Sequence, residues 1–215
     1  MHVDLNKKAQ WHLDFNGGFV PILELPDGSM INESAILMSF ASDFAKKGQG
    51  LPLWPHETAE KEDSAACMAT ARLRLAQTKF DPLLGPYWQA WASRFQDEEK
   101  MDALRKHLSK FEEWLNTYLS GDYIHGANPG FVDMYIYVIF ERLVMAEFTV
   151  NKFAFDSLDI KKNAPGMYAY VHRFRAHPLM KDHCVVAEHL SAQSKLQNEM
   201  PPGEKKQLTI DGVLR

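Results

Sequence analysis

The segment 132–144 constrains the fold more than any other, because Met134, Tyr135, Ile136, Tyr137, Val138, Ile139 and Phe140 leave a helix drawn through them with no polar side. Such a helix needs a layer of others around it, which predicts a buried central helix. Helical periodicity supplies that layer at 60–80, 98–119, 164–176 and 178–195. Within 98–119, Leu104, Leu108, Phe111, Leu115 and Tyr118 recur at spacings of three and four, one apolar stripe opposite a charged face. The second part of the chain is therefore expected to be all-helical. Asp133 falls in the first turn of the central helix, where a carboxylate meets the positive end of the helix dipole and N–H groups that lack intrahelical partners. That position assigns it to folding rather than to catalysis.

Ahead of Pro55 the pattern changes to short apolar runs broken by turn residues, which marks a domain boundary. A chain of 215 residues can bury one generous core or two modest ones. The expected division is a partial α/β domain over 1–47, a connector over 48–57, a helical domain over 58–200 and an extended tail over 201–215. Gly48, Gly50, Pro52 and Pro55 enclose Leu51, Leu53 and Trp54, a connector too apolar to be a free linker and so expected to pack between the domains.

A formal charge of -4 provides no basic field for nucleic acid or an anionic membrane. The first ten residues carry Asp4, Lys7 and Lys8 in place of an apolar leader core, and no run approaches the ~18 apolar residues of a membrane span. A cytoplasmic protein without nucleic-acid or membrane partners is the expectation. Cys67 and Cys184 lie far apart without CxxC spacing, which suits a reducing compartment and suggests neither disulfide nor zinc. Both read as inert thiols, Cys67 as a small buried hydrophobe. His172, His177, His183 and His189 lack the spacing of a helical metal pair and read as surface histidines, so no metal is expected. Gly17-Gly18 is not a phosphate-binding loop, and G-x-S-x-G is absent.

The chemistry-bearing residues lie in the first 40. Val20-Pro21 precedes a strand at 22–25, and a proline there suits a strand start, since it cannot donate to a ladder. Its peptide bond can be cis, which would present the backbone of Val20 to a peptide-shaped ligand; an ordinary trans proline at a strand start is the other reading. Asp27-Gly28 then makes a tight hairpin with a second strand at 29–31. Glu33-Ser34 opens the next helix. A serine hydroxyl beside helix N–H groups can receive a carboxylate, and the adjacent glutamate can receive an ammonium group. Taken by themselves, the two also read as a helix cap with a first-turn acid.

In this order, V-P, strand, D-G turn, strand and E-S resemble the glutathione-binding half of cytosolic glutathione transferases, nearest the omega class. Lys8 and Trp11 match the omega pattern of a lysine three residues ahead of a tryptophan. Phe111-Glu112-Glu113-Trp114-Leu115 and the stretch GANPGFVDMYIYVIFERL look like the omega helical half. The resemblance runs from Val3 to His183. It implies a partial thioredoxin-like domain followed by the family's helical bundle, with glutathione as substrate. It further implies that Lys8 meets the glycyl carboxylate, Val20 and Pro21 the cysteinyl part, and Glu33 and Ser34 the γ-glutamyl end.

Two departures stand out. Gly130 replaces the Ser or Thr usual three residues before the aspartate, which costs a side-chain cap while leaving the helix start tolerable. A complete domain of the family also places a strand and a helix ahead of the position matching Val3, and the start of that helix bears the residue that activates the thiol. No residue of this chain matches it, so the resemblance leaves the catalytic residue unknown and implies weak glutathione binding, slow conjugation and no thiol transfer. A homodimer is implied, together with an apolar small-molecule co-substrate near Tyr87, Trp88, Trp91 and Tyr135. The competing expectation is a binding or scaffold protein that keeps the fold without catalysis.

Overall fold

The structure, a computed structural model, describes residues 7–44, 53–57, 63–93, 95–144 and 158–182. The chain divides into two compact units between Leu51 and Pro52. Residues 7–44 belong to the first unit and the remaining described residues to the second.

The first unit opens with helix α1, Gln10–Asn16, a turn of chain that periodicity alone did not suggest. It stops where Gly17 takes a left-handed conformation, φ 69°, and its N–H returns to the Leu13 carbonyl at 2.8 Å. Strands β1, Ile22–Glu24, and β2, Met30–Asn32, pair antiparallel with Ile22 opposite Asn32, Leu23 opposite Ile31 and Glu24 opposite Met30. The second strand begins one residue later than expected because the Asp27 carboxylate captures Ser29 in the turn. It accepts from the serine N–H at 2.9 Å and from the hydroxyl at 2.6 Å. Gly28 supplies the φ of 83° that the turn requires. Helix α2, Ser34–Phe44, follows at once.

The regular elements described in the second unit are helices, apart from an isolated antiparallel bridge between Tyr123 and Gly126. Helix α3, Ser64–Phe80, is capped by Asp63, whose carboxylate accepts from Ala65 N at 2.9 Å and Ala66 N at 3.1 Å. A short 3-10 turn, Asp81–Leu84, leads into α4, Gly85–Ala92. Gly85-Pro86 looks like a loop, yet a proline at the first helical positions loses no intrahelical bond. Helix α5, Glu98–Tyr118, buries Met101, Leu104, Leu108, Phe111, Trp114 and Leu115. Helix α6, Phe131–Val144, lies at the centre as expected, although Val138 and Arg142 face outward. A short turn of helix α7, Ile160–Asn163, precedes α8, Pro165–Ala176.

Phe80, Phe111 and Phe140 meet at centroid separations of 5.6–5.9 Å and join α3, α5 and α6. Trp114 adds a bond from its indole N–H to the Ala76 carbonyl at 3.1 Å. On the other side of α6, Tyr137 stacks on Phe174 of α8 at 4.0 Å. Glu141 is buried between them and receives the Tyr137 hydroxyl and the Arg175 guanidinium. The start of α8 is closed by a side chain from α5: Glu112 accepts from Gly166 N at 2.7 Å and Met167 N at 2.9 Å. Among the described residues, no helix is long and apolar enough to cross a membrane. The helix expected at 178–195 is described only to residue 182, where it forms turns; its remainder, Cys184, His183, His189 and the tail lie outside the described residues.

Candidate functional site

In the first unit, the hairpin register places the predicted residues at one end. Ile22 faces Asn32, so Val20-Pro21 and Glu33-Ser34, which flank these two strand ends, lie at the end opposite the Asp27-Gly28 turn. The Val20-Pro21 peptide bond is cis, and Val20, Pro21, Glu33 and Ser34 are exposed. Glu33 has φ 73°, a left-handed conformation that few non-glycine residues adopt. Its carbonyl accepts the first bond of α2, from Leu37 N at 2.9 Å, so it is the cap residue of that helix.

Lys8 is half-buried, its stem laid over Gly18. A Cβ at Gly18 would stand 2.5 Å from Lys8 Cδ and 3.2 Å from Nζ, so a side chain there would displace the lysine stem, and the φ of 75° favours glycine. The lysine thus reaches the backbone two residues ahead of Val20. Two further residues, unremarked in the sequence, hold that backbone: His12 Nε2 donates to the Phe19 carbonyl at 2.7 Å and Asn16 Nδ2 to the same oxygen at 2.8 Å. His12 is fully buried, with Trp11 stacked on it at 5.4 Å. Their spacing of four on α1 was the available signal, hidden because α1 itself was not anticipated.

Of the aromatic residues expected near a co-substrate, Tyr87, Trp88 and Trp91 adjoin one another on α4, with Tyr87 edge to face on Trp88 at 4.9 Å. Tyr87 is fully buried and belongs to the core, because α4 packs that face against α5. Trp88 and Trp91 remain exposed on α4, edge to face at 6.0 Å, while Tyr135 donates to Asp81 at 2.7 Å. Cys67 is exposed rather than buried, since it lies in the first turn of α3 on an outer face. His172 packs on Tyr168 and His177 edges onto Tyr123. Among the described residues there is no group of three or more His, Cys, Asp or Glu able to hold a metal.

Asp133 ties together several groups around the start of α6. Fully buried, it accepts from Ile124 N at 2.7 Å, His125 N at 3.2 Å, Gly130 N at 3.0 Å and the Tyr170 hydroxyl at 2.7 Å. Burial pushes its carboxyl above the ordinary value, against the four donors, which favour the charge. Burial first, and then the facing carboxylate, raises Tyr170 well above its ordinary value, so it remains a donor. The carboxylate fastens the loop before α6 to the helix start, as its first-turn position suggested.

Residues 67–178 match the model of the glutathione S-transferase C-terminal domain. The chain belongs to the glutathione S-transferase family. It is 31% identical over 152 residues to glutathione S-transferase omega-1 of Sus scrofa and 24% identical over 149 residues to that of Mus musculus. Each alignment takes in 68% of this chain and 57% of the relative, so the chain spans little more than half the length of the curated relatives it matches. Among solved structures, Leishmania TDR1, a unique trimeric glutathione transferase, matches with a TM-score of 0.64 at 19% identity over 91% of this chain and 41% of that one. Rice GST1 in complex with glutathione matches with a TM-score of 0.61 at 18% identity over 93% and 84%. These likenesses establish the fold: a partial thioredoxin-like part and a transferase-type helical bundle. Within this omega-like glutathione S-transferase, Val20, Pro21, Glu33 and Ser34 share one exposed end of the hairpin, with Lys8 packed beside the backbone that leads into it.

Proposed function

We propose that this family member binds glutathione on its first unit and conjugates it to small electrophiles. Ser34 and the first N–H groups of α2 receive the γ-glutamyl carboxylate, and Glu33 receives the ammonium group on the same carbon. The backbone of Val20 pairs with the cysteinyl residue as a strand would. Lys8 meets the glycyl carboxylate. The observation that carries this reading is Glu33 at φ 73°. A glutamate held there costs about 1–3 kcal/mol of backbone strain, a cost that clusters at ligand-binding positions. Met68 and Leu75, both exposed and seven residues apart on α3, supply an apolar strip for the homodimer that forms part of the same proposal.

Isothermal titration with glutathione tests the site. Binding is expected in the parent chain, with a loss of tenfold or more in Glu33→Ala, Ser34→Ala and Lys8→Ala. Equal affinity in all three variants would overturn the assignment. A conjugation assay with a chlorinated dinitrobenzene reads the activity, and binding without turnover would favour the scaffold reading. Light scattering at the monomer mass of 24.6 kDa over a wide concentration range would remove the dimer.

A further inference from the structure

We propose that the start of α6 is an acid-sensitive latch in which the neutral imidazole of His125 replaces the capping hydroxyl absent at position 130 and holds residues 53–57 and the central helix together. The space decides the substitution. A Cβ at Gly130 would lie 2.2 Å from His125 Nδ1 and 2.3 Å from its Cγ, so the ring occupies the place a serine or threonine would need. From there Nε2 accepts from Val132 N at 3.4 Å, which fixes the ring's proton on Nδ1. The preceding amide, Phe131 N, donates to the Leu53 carbonyl at 3.0 Å. The first two amides of α6 are thus satisfied from outside the helix, one by a side chain that titrates and one by the connector. Trp54 completes the joint, buried, stacked on Phe131 at 4.5 Å and tilted against His125 at 6.1 Å.

Protonation works against this arrangement twice. It removes the lone pair that receives Val132 N, and it sets a positive charge against the positive end of the α6 dipole. The charged groups around the ring do not compensate. From the 3-10 turn Pro55–Glu57, Glu57 favours the charged form, yet its carboxylate already accepts from Leu53 N at 2.8 Å. From α6, Asp133 is engaged by four donors, one of them the His125 backbone N–H. From α3, Arg74 lies over the Trp54 ring at 5.6 Å and offers the imidazole no negative charge. Burial outweighs Glu57 and depresses the imidazole to about 4 from an ordinary 6.5. A histidine depressed in the closed state stabilises it above pH 6.5, and that support is lost as pH falls from 6.5 toward 4.

Between pH 8 and pH 5 the opening constant of the latch is expected to rise about 30-fold through this group. Hydrogen exchange on the full 215-residue chain, followed for the peptide containing Val132 and corrected for intrinsic rates, reads it directly. His125→Gln keeps an acceptor that does not titrate and is expected to reduce the rise to under about threefold. The double variant His125→Ala with Gly130→Ser, which returns the hydroxyl, should do the same. An equal rise in either variant and in the parent would refute the latch. A proton NMR titration of the parent adds a reading that needs no variant: a His125 midpoint near 4 supports the latch, and one at or above 6.5 in the folded protein overturns it.

Discussion

Replacing Asp133 by alanine tests whether the carboxylate organises the helical unit. The change deprives three backbone amides and one phenol of their acceptor; the bonds from Ile124 N, Gly130 N and Tyr170 are fully buried. An orphaned buried donor costs about 1–3 kcal/mol. Against this stands the desolvation of the carboxylate itself, which already pushes its pKa up and is recovered when the side chain is removed. The net expected loss is about 3–5 kcal/mol, a large share of the ~5–15 kcal/mol that stabilises a typical domain. Asp133→Asn retains one carbonyl oxygen but turns an NH2 group toward the remaining donors, and should cost about 2 kcal/mol. Urea unfolding followed by circular dichroism at the helical band measures both, with stability extrapolated to zero denaturant. Thermal scans should show the alanine variant melting about 6–20 °C lower. A loss below about 1 kcal/mol for Asp133→Ala would mean that water replaces the carboxylate without penalty, and the account of α6 given above would fail.

Glu33→Gly should move two assays in opposite directions. Glycine tolerates φ 73°, so the melting temperature should hold or rise by an amount corresponding to about 1 kcal/mol while glutathione affinity falls; parallel losses would show the conformation to be unstrained. Glu112→Ala removes the acceptor for Gly166 N and Met167 N and should cost about 1–2 kcal/mol in urea unfolding, and no change would place that cap on water instead. Cys67, exposed on α3, should react with a disulfide reagent in the native chain, with Cys67→Ser removing that equivalent; reaction only after denaturant is added would contradict its exposure.

What the sequence discloses depends on how local the physics is. The stripe at Leu104, Leu108, Phe111 and Leu115 and the wholly apolar run after Asp133 are set by helical period and burial, so α5 and α6 were legible to within a residue of their ends. The Asp27-Gly28 turn was equally plain, though the capture of Ser29 by the Asp27 side chain moved β2 by one position. Helices α1 and α4 escaped notice: the first carries apolar residues without a clean stripe, and the second starts with Gly85-Pro86, which reads as a loop until a helix is known to follow. Around the candidate site, Val20, Glu33 and Ser34 were legible as a series. His12 and Asn16, which aim the Phe19 carbonyl, were not, because their role exists only once α1 turns back over that loop. The same holds for His125, whose place beside Gly130 has no signature in the spacing of the two residues.

Both late helices begin on groups made much earlier in the chain. The first amide of α6 is received by the carbonyl of Leu53, and the start of α8 by the side chain of Glu112, 54 residues before Gly166. On the ribosome, where the chain emerges from its amino end, each acceptor has already been made when its helix arrives, and until the two dock water serves the leading amides. A circular permutant that made α8 before α5 would reverse that order and leave the leading amides of α8 to water until α5 followed.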